Sequence, residues 1–388
     1  MDTLPLELLT AVATALLSTA DSYNFRLVCR RFACAGFPVL FRHVSVLNTT
    51  DCLKQFQTMR DSPYGSLGAT KNLTIYDGTW PLVDRRSIWN RHPLLMARSW
   101  ADPQLHPGPA QDAYRQYTQF IAQEIRREPP DVHLIDLLQS FPTLRSISVS
   151  HVNRWNLGPL DLAHYNNLIS TIWILPYWET FIAKTVLSLL QIINSFPHIR
   201  RLDISGSLKL ESVGHGVYPA IQYLEVKSLV GRKILKTKAR EFLASFPNLR
   251  SLSVSLERGG PLGEQVLPLD GLQWHKLRFC SLYNLWISED ELFGFIKRHS
   301  SQLWFLTLNQ ITLVDGSWES FFFRYRELPD RPMIEDNGVS LSALGSPGCV
   351  LNPDSFRLFL SQKGFPWPFG DPEPSDSIFH LELPPPVL

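Results

Sequence analysis

Three stretches of the chain are near copies of one another: SFPTLRSISVS from Ser140, SFPHIRRLDIS from Ser195 and SFPNLRSLSVS from Ser245. Reduced to apolar and polar positions, each reads LxxLxL, with Ile or Val allowed for Leu. The same skeleton returns as IQYLEV from Ile221, LRFCSL from Leu277, LWFLTL from Leu303 and, more loosely, ISTIWI from Ile169. Its first apolar residues stand at 144, 169, 199, 221, 249, 277 and 303, in steps of 22 to 30 residues. Self-similarity at so short a period predicts a repeat architecture, and the alternation within each unit predicts a short strand whose every second residue points inward.

Ahead of the units, AKTVLSLLQIINSF (Ala183–Phe196), KAREFLASF (Lys238–Phe246) and EDELFGFIKRH (Glu289–His299) space their apolar residues as helices do. In the three near copies the Phe-Pro pair ends the helix, because Pro disfavours helical geometry in the residue before it. A strand and a helix this small cannot bury themselves alone, so neighbours must stack. The pattern therefore predicts an α/β fold, a leucine-rich-repeat-like solenoid of alternating strands and helices.

FRHVSV (Phe41–Val46) has the same skeleton and TKNLTI (Thr70–Ile75) a degraded one, which starts the array near residue 41. The period lapses between Gly78 and Asp131, an insertion with one amphipathic helix over about 112–127, and again from Leu328 to Pro353. IFHLEL (Ile378–Leu383) reads as a last strand before a Pro-rich tail over 384–388. Before the array, LPLELLTAVATALL carries Leu8, Leu9, Val12, Leu16 and Leu17 at helical spacing. DSYNFRLVCRRF then sets Phe25, Val28, Cys29 and Phe32 on one face, with Asp21 as the expected helix cap. Three short helices over about forty residues hold too small a core to hide this surface, which leaves apolar area for a partner or for the repeats.

Charge and chemistry narrow the function classes. Lys and Arg total 37 against 36 Asp and Glu, a net charge of +1, so there is no general pull toward nucleic acid or membrane. Cys29, Cys34, Cys52, Cys280 and Cys349 are scattered, with no CxxC pair and no His at ligand spacing, so no disulfide framework, metal site or cofactor is expected. No GxSxG, HExxH, P-loop or GxGxxG motif gives a catalytic residue, and the chain reads as a non-enzyme. LLTAVATALLSTA (Leu8–Ala20) is apolar like the core of a signal peptide, but Asp2 and Glu7 stand where basic residues are needed. A cytoplasmic or nuclear protein is expected, in which the sequons at Asn48 and Asn72 carry no glycan. The acidic groups SEDE (Ser288–Glu291) and EDNG (Glu335–Gly338) read as helix-start and surface residues, and VGRKILKTKAR (Val230–Arg240) as a solvated helix face.

The expected recognition surface is the strand face, at the positions between the inward leucines. Its candidates for substrate binding are Trp173, Asp203, Glu225, Lys227, Tyr283 and Asn309, interspersed with Ser148, Ser150, Ser205, Ser253, Ser255 and Thr307. Hydroxyls and aromatics with few charges suit a protein ligand, whereas nucleic acid calls for a basic stripe.

Residues 4–46 resemble an F-box in the form common in fungal proteins. The resemblance lies in Leu4-Pro5 with Glu7, Leu8 and Leu9, in Asp21, and in RLVCRRF (Arg26–Phe32) followed by FPVLFRHV. It implies a small three-helix F-box over 1–40 ahead of a repeat domain over 41–383 with its insertion at 78–131. It further implies docking on the adaptor subunit of an SCF-type ubiquitin ligase and, through it, on a cullin, with an unknown protein substrate held on the repeats. Carried over residue by residue, Leu4, Pro5, Leu8, Leu9, Phe25, Leu27, Val28 and Cys29 match the family's adaptor-facing or supporting positions. Ser22-Tyr23-Asn24 and the small-residue run AVATA depart from its pattern. The competing expectation is a repeat scaffold in which the N-terminal helices only cap the array.

Overall fold

The computed structural model describes residues 4–16, 19–61, 67–77, 118–120, 122–123, 130–151, 183–209, 216–230, 236–256, 267–335, 340–343, 346–350 and 358–362, with residues 115 and 367. The alternating segments form strands β1 (His43–Leu47), β2 (Asn72–Asp77), β3 (Ser146–His151), β4 (Arg201–Lys209), β5 (Tyr223–Val230), β6 (Ser251–Leu256), β7 (Phe279–Tyr283), β9 (Phe305–Asn309) and β11 (Met333–Glu335). They hydrogen-bond in chain order into one nine-stranded parallel sheet. A parallel neighbour needs a crossover, and the described crossovers carry α4 (Thr50–Arg60), α5 (Pro130–Gln139), α6 (Ala183–Ile192), α7 (Lys236–Ala244), α8 (Glu289–His299) and α9 (Trp318–Arg326).

Register explains the LxxLxL spacing. Val44, Leu73, Ile147, Leu202, Leu224, Leu252, Cys280, Leu306 and Ile334 align in one row across the strands, and Val46 through Leu308 in a second row two residues on. Both rows are buried, in one core that runs from Val44 to Phe359. Each such side chain contributes roughly 1.5–3 kcal/mol by leaving water, so a one-residue slip would expose a whole row. The Phe-Pro pairs act as expected: Phe141, Phe196 and Phe246 are buried at the helix ends, with Pro142, Pro197 and Pro247 outside. Between β6 and β7 the described return is not helical, and Trp274 fills the space. Its indole Nε1 donates to Phe246 O at 3.0 Å and its amide to His299 Nε2 at 3.0 Å. His299 is held neutral between that amide and Phe295 O, and burial lowers its pKa.

The structure departs from the pattern in two places. β3 pairs directly with β4, Ile147 opposite Leu202, so no strand stands in the sheet between the Leu144 and Ile199 units, where counting ISTIWI implies one. That segment and IFHLEL lie outside the described residues. The irregular stretch expected over 328–353 contains β11, β12 (Ser340–Ala343) and β13 (Ser346–Val350), strands too short to alternate visibly. β12 and β13 join β8 (Trp286–Ile287) and β10 (Ile311–Leu313) in a second sheet of order β13-β12-β10-β8. Asn284 and Gln310, both at positive φ, turn the chain from β7 into β8 and from β9 into β10.

The helix caps are built from the residues that first read as charge clusters. Ser288 accepts from Glu291 N at the start of α8. Glu289 is buried, accepting from Ser317 N at 2.9 Å, Ser320 Oγ at 2.8 Å and Arg324 Nη1 at 2.8 Å, which ties α8 to the first turns of α9. Burial alone would raise this carboxyl, but the Ser317, Arg324 and Ser320 bonds hold it below its ordinary value. Gly316, at φ +72°, passes so close that any Cβ there would overlap the Glu289 side chain.

Three helices precede the sheet: α1 (Leu6–Ala15), α2 (Thr19–Leu27) and α3 (Arg30–Leu40). They share a separate small core of Leu9, Phe32 and Ala35, with Phe25 and Cys29 packed against it. Among the described residues no helix is long and apolar enough to cross a membrane.

Candidate functional site

The first candidate surface is the outside of the three N-terminal helices. FRLVCRRF is not one helix: α2 ends at Leu27, Val28 bends, and Cys29, with φ −165° and ψ 173°, caps α3. Asp21 falls inside the first turn of α2 and is not its cap. The break folds α3 back so that Phe25 and Phe32 meet with ring centroids 4.6 Å apart. It also leaves Leu27 and Val28 at the corner, 81% and 64% exposed. The helices cross closely at Gly36, where a Cβ would lie 2.7 Å from Arg26 Cγ and 3.3 Å from Phe25 Cδ1. Arg31 Nη2 donates to Leu4 O at 2.6 Å and ties the opening of α1 to α3.

On α1 the apolar residues divide between two faces. Leu9 and Ala13 turn inward, Leu9 being 2% exposed, while Leu8 is 52% exposed and Val12 lies one turn on from it, also in solvent. Leu4 and Leu6 are exposed as well. Of the eight residues matched by resemblance, Leu4, Pro5, Leu8, Leu27 and Val28 lie at the surface, Leu9 is core, and Phe25 and Cys29 are half-buried supports. Leu6 and Val12 were not among the eight. Val12, already at helical spacing in the sequence, extends the i, i+4 stripe of Leu4 and Leu8, whereas Leu6 lies off that stripe.

The second candidate surface is the outward face of the sheet. Asp203 and Glu225 face each other across β4 and β5, and Ser205 faces Lys227. Arg201 bridges both carboxylates, Nε to Asp203 Oδ2 at 2.9 Å and Nη2 to Glu225 Oε2 at 3.1 Å, and Lys227 Nζ lies 2.8 Å from Glu225 Oε1. The bond to Asp203 is the largest of the influences that raise the Arg201 pKa. These four side chains satisfy one another. Tyr283 faces Asn309 across β7 and β9, three and four strands from β4 in the sheet order, and Trp173 lies outside the described residues. The five described substrate candidates thus form two patches, and not one.

No protein-family model matches the chain. No curated protein matches it either.

Attention to the inward leucines and the residues between them missed the first outward row and the residue before it. Tyr223, Phe279, Phe305 and Met333 occupy that outward row and are exposed large apolar groups, with Trp304 immediately before Phe305. Phe279 and Phe305 stack at 5.5 Å with a 3° interplanar angle, and the Arg278 guanidinium lies 4.4 Å above the Trp304 ring. Among the described residues, no group of three or more His, Cys, Asp and Glu side chains is placed to hold a metal ion.

Proposed function

We propose that the chain is the substrate-recognition subunit of an SCF-type cullin ubiquitin ligase. In this reading α1–α3 are an F-box that docks on the adaptor, and the sheet with its helices is a leucine-rich-repeat-like solenoid that holds a protein substrate on its strand face. The observation that carries it is the exposed apolar surface of Leu4, Leu8, Val12, Leu27 and Val28 on a helical unit with its own core. Helices that merely cap an array would turn such residues onto the first repeat; several large apolar side chains left in solvent on one small helical unit suit an interaction surface. Catalysis would come from proximity, the bound substrate being held near the ubiquitin-conjugating enzyme, with no catalytic residue in this chain.

The repeat-scaffold reading keeps the same substrate face and drops the adaptor. Size-exclusion chromatography of the full chain mixed with adaptor and cullin separates the two. Co-elution of all three supports the ligase reading, and elution of a folded chain alone removes it.

A further inference from the structure

The residue that precedes each strand continues the sheet by one rung. Lys71 N donates to Arg42 O at 3.0 Å, Arg145 N to Lys71 O at 2.8 Å, and Arg200 N to Arg145 O at 2.8 Å. The series goes on through Gln222 to Arg250, and Arg278 N donates to Arg250 O at 2.8 Å. Six cations, Arg42, Lys71, Arg145, Arg200, Arg250 and Arg278, therefore stand side by side along one edge of the sheet, interrupted once at Gln222. All six are exposed, and among the described residues none of them makes an ion pair.

With about 4.8 Å between neighbouring strands, the row from β1 to β7 runs roughly 29 Å. Like charges directly opposite one another on adjacent strands destabilise a sheet, and the chain's overall charge of +1 gives no general reason for such a cluster. The carboxylates nearest in the sheet, Asp203 and Glu225, are already engaged by Arg201 and Lys227. At its far end the row runs into exposed Trp304, Phe279, Phe305 and Met333.

We infer that this edge binds an extended acidic segment of a protein, its carboxylates along the Arg42–Arg278 row and an apolar residue at one end resting on Trp304 and Met333. Guanidinium groups pair with carboxylates through two parallel N–H bonds, which suits five arginines in one row. Single-stranded nucleic acid is the other extended polyanion, but it takes free aromatic faces for base stacking. Here one face of Phe279 lies on one face of Phe305 and Arg278 covers one face of Trp304, so the aromatic rings are partly taken up by one another and by the row's own last cation rather than spaced along it as a stacking platform. The inference deepens the receptor reading by naming the chemistry of the segment received.

Fluorescence anisotropy on the full chain tests it with a labelled peptide of about eight Asp and Glu residues ending in Leu-Phe, a length that spans the row at roughly 3.4 Å per residue. Saturable binding is expected, weakened by added salt and weakened on the order of tenfold by the triple variant Arg200→Glu, Arg250→Glu, Arg278→Glu, since each exposed pair is worth only a fraction of a decade to a decade. An unchanged thermal melt certifies the variant's fold, and the milder triple Gln variant should show an intermediate loss. Trp304→Ala should weaken the Leu-Phe peptide and leave a purely acidic one unaffected. Absence of binding by folded protein, equal binding by the charge-reversed variant, or tighter binding of oligothymidylate or of a phosphoserine peptide without carboxylates would each overturn the inference. No adaptor is present in the assay, so its outcome and that of the ligase reading are read separately.

Discussion

Leu8 and Leu9 are neighbours of the same residue type, yet truncating each to Ala should have different consequences. Leu9 is 2% exposed in a small core that it shares, among the described residues, with Phe32 and Ala35. Leu→Ala at such a site costs about 2–5 kcal/mol, the lost transfer energy plus the cavity, and a core this small offers few groups to collapse into the space. Leu8 is 52% exposed. Fully burying a leucine is worth roughly 1.5–3 kcal/mol, so a half-exposed one should cost about 1 kcal/mol or less. Hydrogen exchange of the amides over 6–40, measured on the full chain, reports local opening of this unit. With a factor of ten per 1.4 kcal/mol, Leu9→Ala should speed exchange there by about thirtyfold or more, up to complete loss of protection, while Leu8→Ala should speed it about fivefold at most. Equal acceleration in the two variants would refute the division of α1 into a core face and a surface face, and with it the surface proposed for docking.

Other consequences can be checked directly. Glu289→Gln sets an amide NH2 against either the Ser317 amide or the Arg324 guanidinium, and should cost roughly 2 kcal/mol in denaturant melts at neutral pH. Because the folded Glu289 pKa lies below its ordinary 4.5, that stabilisation is complete above pH 4.5 and fades as pH falls through the folded value, so the wild-type and variant melts should converge in acid. Gly36→Ala gains helix propensity but drives a Cβ into Arg26 and Phe25. A net loss of about 1 kcal/mol, read as faster exchange confined to α2 and α3, is expected, and unchanged protection would contradict the close crossing. Burial pushes the Cys280 thiol up to about 12, whereas Cys34 is exposed. Ellman titration of native protein should therefore modify Cys34 early and Cys280 only on unfolding.

The sheet was legible because its cause is local and repeated: each LxxLxL unit carries its own alternation, and the same two positions enter the core in strand after strand. The Phe-Pro stops were legible for the same reason, a steric rule acting between adjacent residues. What escaped depended on partners distant in sequence. Nothing within FRLVCRRF marks Val28 and Cys29 as a corner, since the apolar spacing of Phe25, Val28 and Phe32 also fits a continuous helix. ISTIWI matched the skeleton, but only strand pairing reveals that β3 and β4 are direct neighbours. Glu289 read as one member of an acidic helix start, and its role comes from Ser317, Ser320 and Arg324, some thirty residues on. The basic row was visible in principle as the Arg of TLRS, HIRR, NLRS and KLRF. It acquires meaning only when parallel register sets those arginines side by side.

The measurement that bears most directly on the proposed function is calorimetric titration of the ligase adaptor into the wild-type chain and into a Leu8→Asp, Val28→Asp double variant. Both positions are exposed, so the variant should melt like wild type. The account predicts one-to-one adaptor binding by wild type and loss of that binding in the variant. Adaptor binding that survives both substitutions, or a well-folded wild type that does not bind, would contradict it.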